Sequence, residues 1–364
     1  MELTVGTSIF QNMLAKAVKG AGYNEAKPVT TLVAIKLKDG TLTLTTTDAT
    51  NYLCVTEKDI AGDNFYIAVR VDVLAKLVSK ITSKTITLKV DEGVLTIIGN
   101  GSYKMGIPLE DDGTPAVLPN PIDKFYKAEE VGTVHSSVIA NVLKSVKPAL
   151  STDKDYPQYH NYYVGDSILA SDTYTITDYS EGFLEDAKLV SPFVMDLLGL
   201  FTGEIRVFAD DKAMLFVADN GMVFGAIPDG IENYSSVELG MLVSQVYAHS
   251  CKVSRVALLG LLDRISLFVV TGSDDKPKNG RITLRFGKEY LEITSPYASE
   301  RIEYLEREKA DDFECDAEIN TLATQVKAQS GEEITIEYGE DNAIKIIDGD
   351  VTTVVGLMVA TPTL

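Results

Sequence analysis

The residues most often used for catalysis are few and scattered in this chain of 364 residues. Its three histidines, His135, His160 and His249, do not cluster in the sequence and match no metal-ligand or catalytic-triad spacing. The chain also has no P-loop and no G-x-S-x-G motif. These features disfavour an enzyme, and we expect neither a metal nor a cofactor.

The three cysteines, Cys54, Cys251 and Cys315, are widely separated and contain no C-x-x-C pair. This spacing argues against a disulfide framework or a zinc site and favours buried free thiols in a reducing compartment. No apolar run approaches the roughly 18 residues of a membrane span, and the start has no basic region followed by a long apolar core. We therefore expect a cytoplasmic protein without a signal peptide and without membrane contact.

Two aspartates, Asp48 and Asp172, could in principle act as a carboxylate pair in acid–base chemistry. Both, however, occur in the same pattern, in which an alternating strand ends at Thr-Asp or Ser-Asp and a second alternating strand follows. A repeated structural turn is therefore the better interpretation. The aspartates lie 172 − 48 = 124 residues apart, which divides the chain into three units of similar length.

The repeat predicts domains at residues 1–121, 122–239 and 240–364, joined by turn-rich linkers at 119–123 and about 232–240. Each third has the order helix, strands, helix, strands. The apolar periodicity predicts helices over residues 8–20, 70–84, 136–148, 191–202, 253–268 and 318–328. Two amphipathic helices packed on antiparallel sheets in each third give an α+β fold.

The formal net charge of −20 argues, taken alone, against a nucleic-acid-binding protein. The charge is unevenly distributed, because the six predicted helices with their flanks sum to +7 and the rest of the chain carries −27. Lysines on polar helix faces are often only solvated. Four basic helices in so acidic a chain instead favour a basic helical surface that holds a phosphate backbone without reading its sequence.

The pattern resembles the bacterial DNA polymerase III beta subunit, the sliding clamp, over the whole chain. The similarity rests on three equivalent domains, two helices in each, and short local matches. Leu-Thr-Leu-Thr-Thr-Thr-Asp-Ala at 42–49 and Ile-Leu-Ala-Ser-Asp-Thr at 168–173 match the family's turns, and Gly-Asn-Gly-Ser-Tyr-Lys-Met-Gly-Ile-Pro at 99–108 matches its first-domain edge strand. None of these motifs is catalytic, so the resemblance implies a non-catalytic processivity factor in DNA replication.

The resemblance implies a head-to-tail homodimer that closes into a six-domain ring around duplex DNA, with helices lining the hole. Closure of one heterologous contact into a ring suits such an assembly. The family's edge contacts fall on Tyr103 and Met105 in the first domain and on Leu267 and Phe268 in the third. The alternative for these four residues is an ordinary core position.

The family also implies a groove for short linear peptides from the DNA polymerase catalytic subunit, the clamp loader and other replication and repair proteins. Carried over to this sequence, the groove residues are Ser171, Thr173, Tyr174, Thr175, Ile176, Leu239, Met241, Ala343, Val359, Pro362 and Leu364.

The groove turn departs from the family pattern. The family's Thr-Asp-Gly-His-Arg-Leu is here Ser-Asp-Thr-Tyr-Thr-Ile at 171–176, so the basic residue is replaced by Thr175. The chain ends Val-Ala-Thr-Pro-Thr-Leu where the family usually has Met-Pro-Met-Arg. These departures favour a divergent clamp of phage or mobile-element origin, whose partner peptide relies on apolar anchoring.

The implied contact with double-stranded DNA is independent of sequence and combines basic helix residues with two loop residues, Lys27 and Tyr159, which otherwise would be solvated. The full set is Lys16, Lys19, Lys27, Arg70, Lys76, Lys80, Lys144, Lys147, Tyr159, Lys252 and Arg255.

Two other classes of function compete with the clamp: a repeat-built binding protein that does not contact DNA, and an enzyme. The measured mass of the protein in solution distinguishes the repeat-built binding protein from the clamp, because a ring needs at least a dimer.

Overall fold

A computed structural model of the protein describes residues 1–118, 125, 127–230, 234–269, 280–307, 312–339 and 342–358. The chain forms two compact units. The first unit comprises residues 1–137 and 193–228, and the second comprises residues 138–192 and 229–364. Within the described ranges, no helix is long and apolar enough to cross a membrane.

The first third of the chain contains helices α1 (Thr7–Ala17) and α2 (Val71–Val78). Its strands are β1 (Glu2–Gly6), β2 (Leu32–Lys38), β3 (Thr41–Thr47), β4 (Tyr52–Glu57), β5 (Phe65–Arg70), β6 (Thr85–Asp91), β7 (Val94–Ile98) and β8 (Ser102–Gly106). The hairpin predicted at Asp39-Gly40 forms between β2 and β3, and both turn residues have positive φ, as such tight turns require. Helix α1 buries Phe10, Met13 and Leu14.

The second third contains helices α3 (Ser136–Ser145) and α4 (Pro192–Leu198). Its strands are β9 (Glu129–His135), β10 (Tyr162–Val164), β11 (Ile168–Ser171), β12 (Thr175–Tyr179), β13 (Lys188–Val190), β14 (Glu204–Ala209), β15 (Met214–Ala218) and β16 (Met222–Ala226). The predicted helices α1 and α3 end earlier than expected, since each continues as a short 3₁₀ turn over Val18–Gly20 or Lys147–Ala149.

The last third contains helices α5 (Ser236–Ser244), α6 (Arg255–Ser266) and α7 (Ile319–Ala328). Its strands are β17 (His249–Ser254), β18 (Arg281–Phe286), β19 (Tyr290–Ser295), β20 (Ala298–Glu303), β21 (Glu306–Arg307), β22 (Phe313–Glu318), β23 (Glu333–Tyr338), β24 (Ala343–Asp348) and β25 (Val351–Gly356). Helix α6 begins at Arg255 rather than at Val253, because residues 249–254 pair with β23.

The prediction of a turn-rich linker over about 232–240 is wrong for its second half, where helix α5 forms. Gly240 and the serines at 235 and 236 indicate a turn, but the burial of Leu239 outweighs their weak local preference. Helix α5 packs against strands β12 and β25 of the second unit. The two domain boundaries at 121 and 239 stay a prediction.

The described residues form four sheets, in which all pairs of neighbouring strands are antiparallel. The first unit holds a four-stranded sheet, β1-β6-β7-β8, and an eight-stranded sheet, β5-β2-β3-β4-β16-β15-β14-β9. The second unit holds a nine-stranded sheet, β13-β10-β11-β12-β25-β24-β23-β17-β21, and a four-stranded sheet, β20-β19-β18-β22. In each larger sheet, a strand of the middle third pairs with a strand of another third, β16 with β4 and β12 with β25.

The apolar helix faces pack on these sheets, as the α+β class requires. In the second unit, Leu258, Leu262 and Ile265 of α6 and Leu322 of α7 lie in one core with strand residues such as Phe286. The predicted fold class is confirmed. Of the thiols, Cys54 and Cys251 are buried as expected, whereas Cys315 is only partly buried.

Candidate functional site

The Ser171–Ile176 turn joins β11 to β12 and is held by its own side chains. Ser171 Oγ accepts a hydrogen bond from the Thr173 amide at 3.1 Å, and Asp172 Oδ1 accepts from the Tyr174 and Thr175 amides at 2.9 and 2.6 Å. Thr173 adopts φ 77°. Burial raises the pKa of Asp172, while these backbone amides oppose the rise. The aspartate thus forms the turn, which was the preferred interpretation of the repeat.

Ile176, at the end of this turn, belongs to an apolar cluster on one face of the nine-stranded sheet. We call this cluster the groove cluster. It contains Leu169, Ile176, Leu189, Tyr234, Leu239, Tyr247, Ala343 and Val354. Leu239 comes from α5, so this helix covers the sheet residues that the resemblance assigned to a peptide groove. Ile176, Leu239 and Ala343 are each less than a tenth exposed.

The other predicted groove residues divide into two groups. Ser171 and Thr175 are fully buried, whereas Thr173 is exposed and Tyr174 and Met241 are 77% and 66% exposed. In this conformation a peptide could touch only the exposed group. Val359, Pro362 and Leu364 lie outside the described residues.

Two partly buried tyrosines, Tyr159 and Tyr163, extend the groove cluster next to Tyr234. The ring of Tyr234 stacks on the ring of Tyr163, with 5.4 Å between the ring centres, and packs edge to face with the ring of Tyr159, with 5.3 Å between the ring centres. Burial, followed by the proximity of Tyr159 and Tyr163, raises the pKa of Tyr234 far above its usual range. Its buried hydroxyl has no hydrogen-bond partner among the described residues. Tyr159 is partly buried beside this cluster rather than solvated, and its contact with DNA stays a prediction.

A basic residue that the sequence reasoning missed lies on the same face of the sheet. Lys345 stands opposite Val354 in the β24–β25 register, and its side chain is 7% exposed. Its ammonium lies 2.8 Å from Glu337 Oε2 and 5.2 Å from the centre of the Tyr247 ring. Strand alternation places Lys345 on the same side as Ala343, two residues earlier, and was the signal that could have identified it.

The predicted DNA-facing residues of the first unit lie on α1 and α2, which pack together, or in the turns next to them, except for Lys27, which precedes a 3₁₀ turn over Pro28–Thr31. Lys19, Lys27, Lys76 and Lys80 are exposed and Lys16 is partly exposed. Among the described residues, none of these five lysines forms an ion pair. Arg70, the residue before α2, instead pairs with Asp72 at 3.2 Å. The first unit therefore presents available positive charge on one helical pair.

In the second unit most of the predicted basic residues contact protein groups. Lys144 donates to Ser330 Oγ at 2.8 Å, and Arg255 donates to the Gly331 carbonyl at 2.6 Å. Lys252 lies 3.1 Å from Glu306 Oε2 and 3.9 Å from Glu333 Oε2, and it is on strand β17 rather than beside a helix start. Lys147 is exposed. These contacts reduce the charge that Lys252 can offer to a phosphate.

The four predicted dimer-contact residues are accessible. Tyr103 and Met105 lie on β8, the outer strand of its sheet, with Tyr103 39% exposed and Met105 partly exposed. Leu267 and Phe268 directly follow α6 and are 69% and 46% exposed. A core position for Leu267, the alternative weighed from the sequence, is therefore wrong. An unpaired outer strand and exposed apolar side chains are typical of contact surfaces.

No group of three or more His, Cys, Asp or Glu side chains within the described ranges could hold a metal ion. Residues 1–113 match the family model described as DNA polymerase III beta subunit, N-terminal domain. A comparison with curated protein sequences found no match.

Solved structures match the entire chain. The DNA polymerase sliding clamp from Bacillus subtilis has a TM-score of 0.83 at 15% identity, covering 99% of this chain and 100% of that chain. The DNA polymerase III beta subunit from Thermotoga maritima has a TM-score of 0.81 at 16% identity, with the same coverage. The sliding clamp from Bartonella birtlesii bound to griselimycin has a TM-score of 0.80 at 17% identity, again with 99% and 100% coverage. The resemblance indicated by the sequence is confirmed: over its whole length the chain has the fold of the bacterial DNA polymerase III beta subunits, the sliding clamps.

Proposed function

We propose that this protein is a DNA sliding clamp, a processivity factor that encircles duplex DNA and tethers the replicative polymerase. The observation that carries the proposal is the clamp fold over 99% of the chain, together with the family match of residues 1–113. The protein acts as a non-catalytic subunit in the cytoplasm and needs no cofactor. Identities of 15–17% to the bacterial clamps support a divergent member, and a phage or mobile-element origin stays a prediction.

The clamp works as a head-to-tail homodimer. The exposed pair Leu267 and Phe268 of one protomer meets Tyr103 and Met105 on strand β8 of its partner, and the reciprocal contact closes the ring. Exposed apolar groups at an outer strand and after a helix support this assignment.

The lysines of α1 and α2 face the duplex. They contact phosphates without reading bases, so affinity falls with salt and does not depend on sequence. Retention by topology needs few tight contacts, which reconciles a net charge of −20 with a DNA-binding role. The acidic remainder of the chain disfavours wrapping of DNA around the outside.

The groove cluster binds a short linear peptide from the polymerase, from the clamp loader and from other replication and repair proteins. An apolar pair on the peptide docks against Ile176 and Val354, as the apolar anchors of short linear motifs do in hydrophobic grooves. Because Leu239 of α5 and Tyr234, which precedes α5, pack in the same cluster as these residues, both α5 and Tyr234 have to move aside before the peptide binds.

Retention on DNA tests the clamp directly. Protein loaded by its clamp loader onto a nicked circular plasmid should stay bound, and a single restriction cut should release it within minutes. Lys16→Glu with Lys80→Glu should shorten retention at moderate salt, whereas Lys89→Glu, an exposed lysine on strand β6, should not. Equal retention on cut and uncut plasmid would exclude a clamp.

A further inference from the structure

Four uncharged polar side chains form a cluster in the interior of the second unit. Thr177 of β12 and Thr353 of β25 stand opposite each other in the strand register, while Gln325 lies in α7 and Gln329 directly follows that helix. All four are at most 1% exposed. We call these four residues the amide cluster. Buried polar atoms need hydrogen-bond partners, so the contacts of the cluster show whether it is complete on its own.

The donors of the amide cluster have partners, although some contacts are long. Gln329 Nε2 donates to the main-chain carbonyl of Gln325 at 3.0 Å and to Thr353 Oγ1 at 3.3 Å. Gln325 Nε2 donates to the Pro148 carbonyl at 3.5 Å, and the hydroxyl oxygens of Thr177 and Thr353 are 3.1 Å apart. Two of these distances exceed the usual range of about 2.7–3.2 Å for N–H···O bonds, so the two side-chain amides are held loosely.

The acceptors of the amide cluster are incomplete. Neither Gln325 Oε1 nor Gln329 Oε1 has a hydrogen-bond donor within the described part of the chain. Turning either amide over does not solve this, because its nitrogen then takes the position that lacks a partner. Residues four apart project from the same side of a helix, and Gln329 Nε2 reaches the carbonyl of Gln325. The two oxygens therefore belong to one site.

The corresponding positions of the first unit are apolar. Leu53 and Phe224 pair across β4 and β16, as Thr177 and Thr353 pair across β12 and β25, and Leu53 and Thr177 each lie five residues after the aspartate of the repeated turn. The seventh residue of α4, Leu198, stands where α7 has a glutamine. These three apolar residues are 0% exposed. The fold can therefore be apolar at these positions, and the amide cluster is specific to the second unit.

The chemistry of the amide cluster indicates which ligand it takes. Two free amide oxygens require a group that donates two hydrogen bonds. The four side chains form hydrogen bonds only to neutral groups, so no charge in the cluster would balance a bound ion. Cations such as Ca²⁺ or Mg²⁺ also take about six or more oxygen ligands, whereas two oxygens are free here. Water has two donors, and buried waters typically make about three hydrogen bonds to groups that otherwise lack partners.

We propose that the amide cluster binds one buried water molecule, which donates to Gln325 Oε1 and to Gln329 Oε1. The water completes the contacts that join the end of α7 to Thr353 of β25. Ile176 and Val354 of the groove cluster occupy the opposite face of the same two strands, because side chains alternate along a strand. The water site is therefore separate from the groove cluster, and it goes beyond the proposed function because it requires neither DNA nor a peptide.

High-resolution crystal structures of the full-length protein test the site directly. The wild type should show density for one water about 2.5–3.0 Å from both amide oxygens, and Gln325→Met with Gln329→Met should lack it. Wild-type crystals that show other buried waters but none here would overturn the proposal, as would density that persists in the double variant. A thallium(I) soak distinguishes a cation, since thallium replaces potassium, and an anomalous peak at the site would also overturn it.

NMR in solution gives an independent readout. In the wild type, the side-chain amide protons of Gln329 should show a cross-peak to a long-lived water. Gln325→Met keeps a side chain of similar volume but removes one acceptor, so it should abolish the cross-peak. Thr324→Met, at an exposed position of the same helix, should leave it unchanged. A cross-peak that survives Gln325→Met, or its absence in the wild type, would refute the site, whereas retention on circular DNA tests the clamp separately.

Discussion

The ammonium of Lys345 joins Glu337, its cross-strand partner, at 2.8 Å, and also donates to the carbonyl oxygen of Gln245 at 2.5 Å. Gln245 directly follows helix α5 as its C-cap. One buried cation therefore ties the helix that covers the groove cluster to two strands of the sheet beneath it. A buried ion pair of this kind is costly to break singly, because the remaining charge is left without its partner.

We expect Lys345→Ala to lower the free energy of unfolding by about 2–3 kcal/mol. This loss is smaller than the loss for a fully buried ion pair, because the Glu337 side chain is partly exposed to solvent. Lys345→Met combined with Glu337→Leu should recover most of this loss, since no charge is then stranded. Urea denaturation of the three proteins measures it. A double variant no more stable than Lys345→Ala would show that the pair itself, and not a stranded carboxylate, stabilises the fold.

Tyr234 should act as a cover on the groove cluster. Tyr234→Ala removes a ring that packs on Tyr159 and Tyr163, so we expect a lower free energy of unfolding. We also expect the polymerase tail peptide to bind roughly tenfold more tightly, because the conformation in which Tyr234 blocks the groove is then less populated. Tyr234→Phe is the matched control, because it keeps the ring and removes only the unpartnered hydroxyl. Calorimetry with the peptide distinguishes them, and unchanged affinity in Tyr234→Ala would mean that the ring does not obstruct the site.

Peptide binding at the groove cluster should also fail in Ile176→Asp, because burial of an unpaired carboxylate among apolar side chains is unfavourable. The matched control is Thr152→Asp, at an exposed position of the second unit outside the predicted groove, which should keep binding within about threefold. Calorimetry of the polymerase tail against both variants measures this. Equal affinity of Ile176→Asp and wild type would place the partner site elsewhere on the protein.

The sequence predicted the α+β class, the repeated Asp48 and Asp172 turns and most helices, because amphipathic periodicity and turn chemistry are local signals. Helix α5 was missed, since its formation depends on the burial of Leu239 against strands far away in the chain. Lys345 was missed for the same reason: its neighbours come from β23, β25 and the end of α5. The family pattern also pointed to Thr175 as the altered basic position, but Thr175 is fully buried. Long-range packing determines all three features, namely helix α5, the contacts of Lys345 and the burial of Thr175, and such packing cannot be recognised from a single sequence.

Asp178 should make stability depend on pH. Burial raises its pKa above the ordinary value of 3.8, against an opposing hydrogen bond from Ser167. The folded state therefore binds a proton more tightly than the unfolded state, so this aspartate contributes stability at low pH that is lost as pH rises through the raised pKa. Asp178→Asn should raise the free energy of unfolding at pH 7 and change it little below pH 4. Denaturation at the two pH values checks the sign, and an equal effect at both would exclude titration of Asp178 as the cause.

The dimer seam gives a prediction about assembly. Leu267 and Phe268 are exposed in the protomer, so truncating both should cost little folding stability but remove buried contacts from the ring. A loss of about 2–4 kcal/mol weakens association roughly 30- to 1,000-fold, which should yield monomers at micromolar concentration. Tyr297→Ala is the control, because Tyr297 is 70% exposed between β19 and β20 and is not assigned to the seam. Sedimentation velocity across a dilution series separates the species. Tyr103→Ala, on the opposite side of the seam, should also yield monomers. If Leu267→Ala with Phe268→Ala stays dimeric, or if Tyr297→Ala dissociates equally, another surface closes the ring.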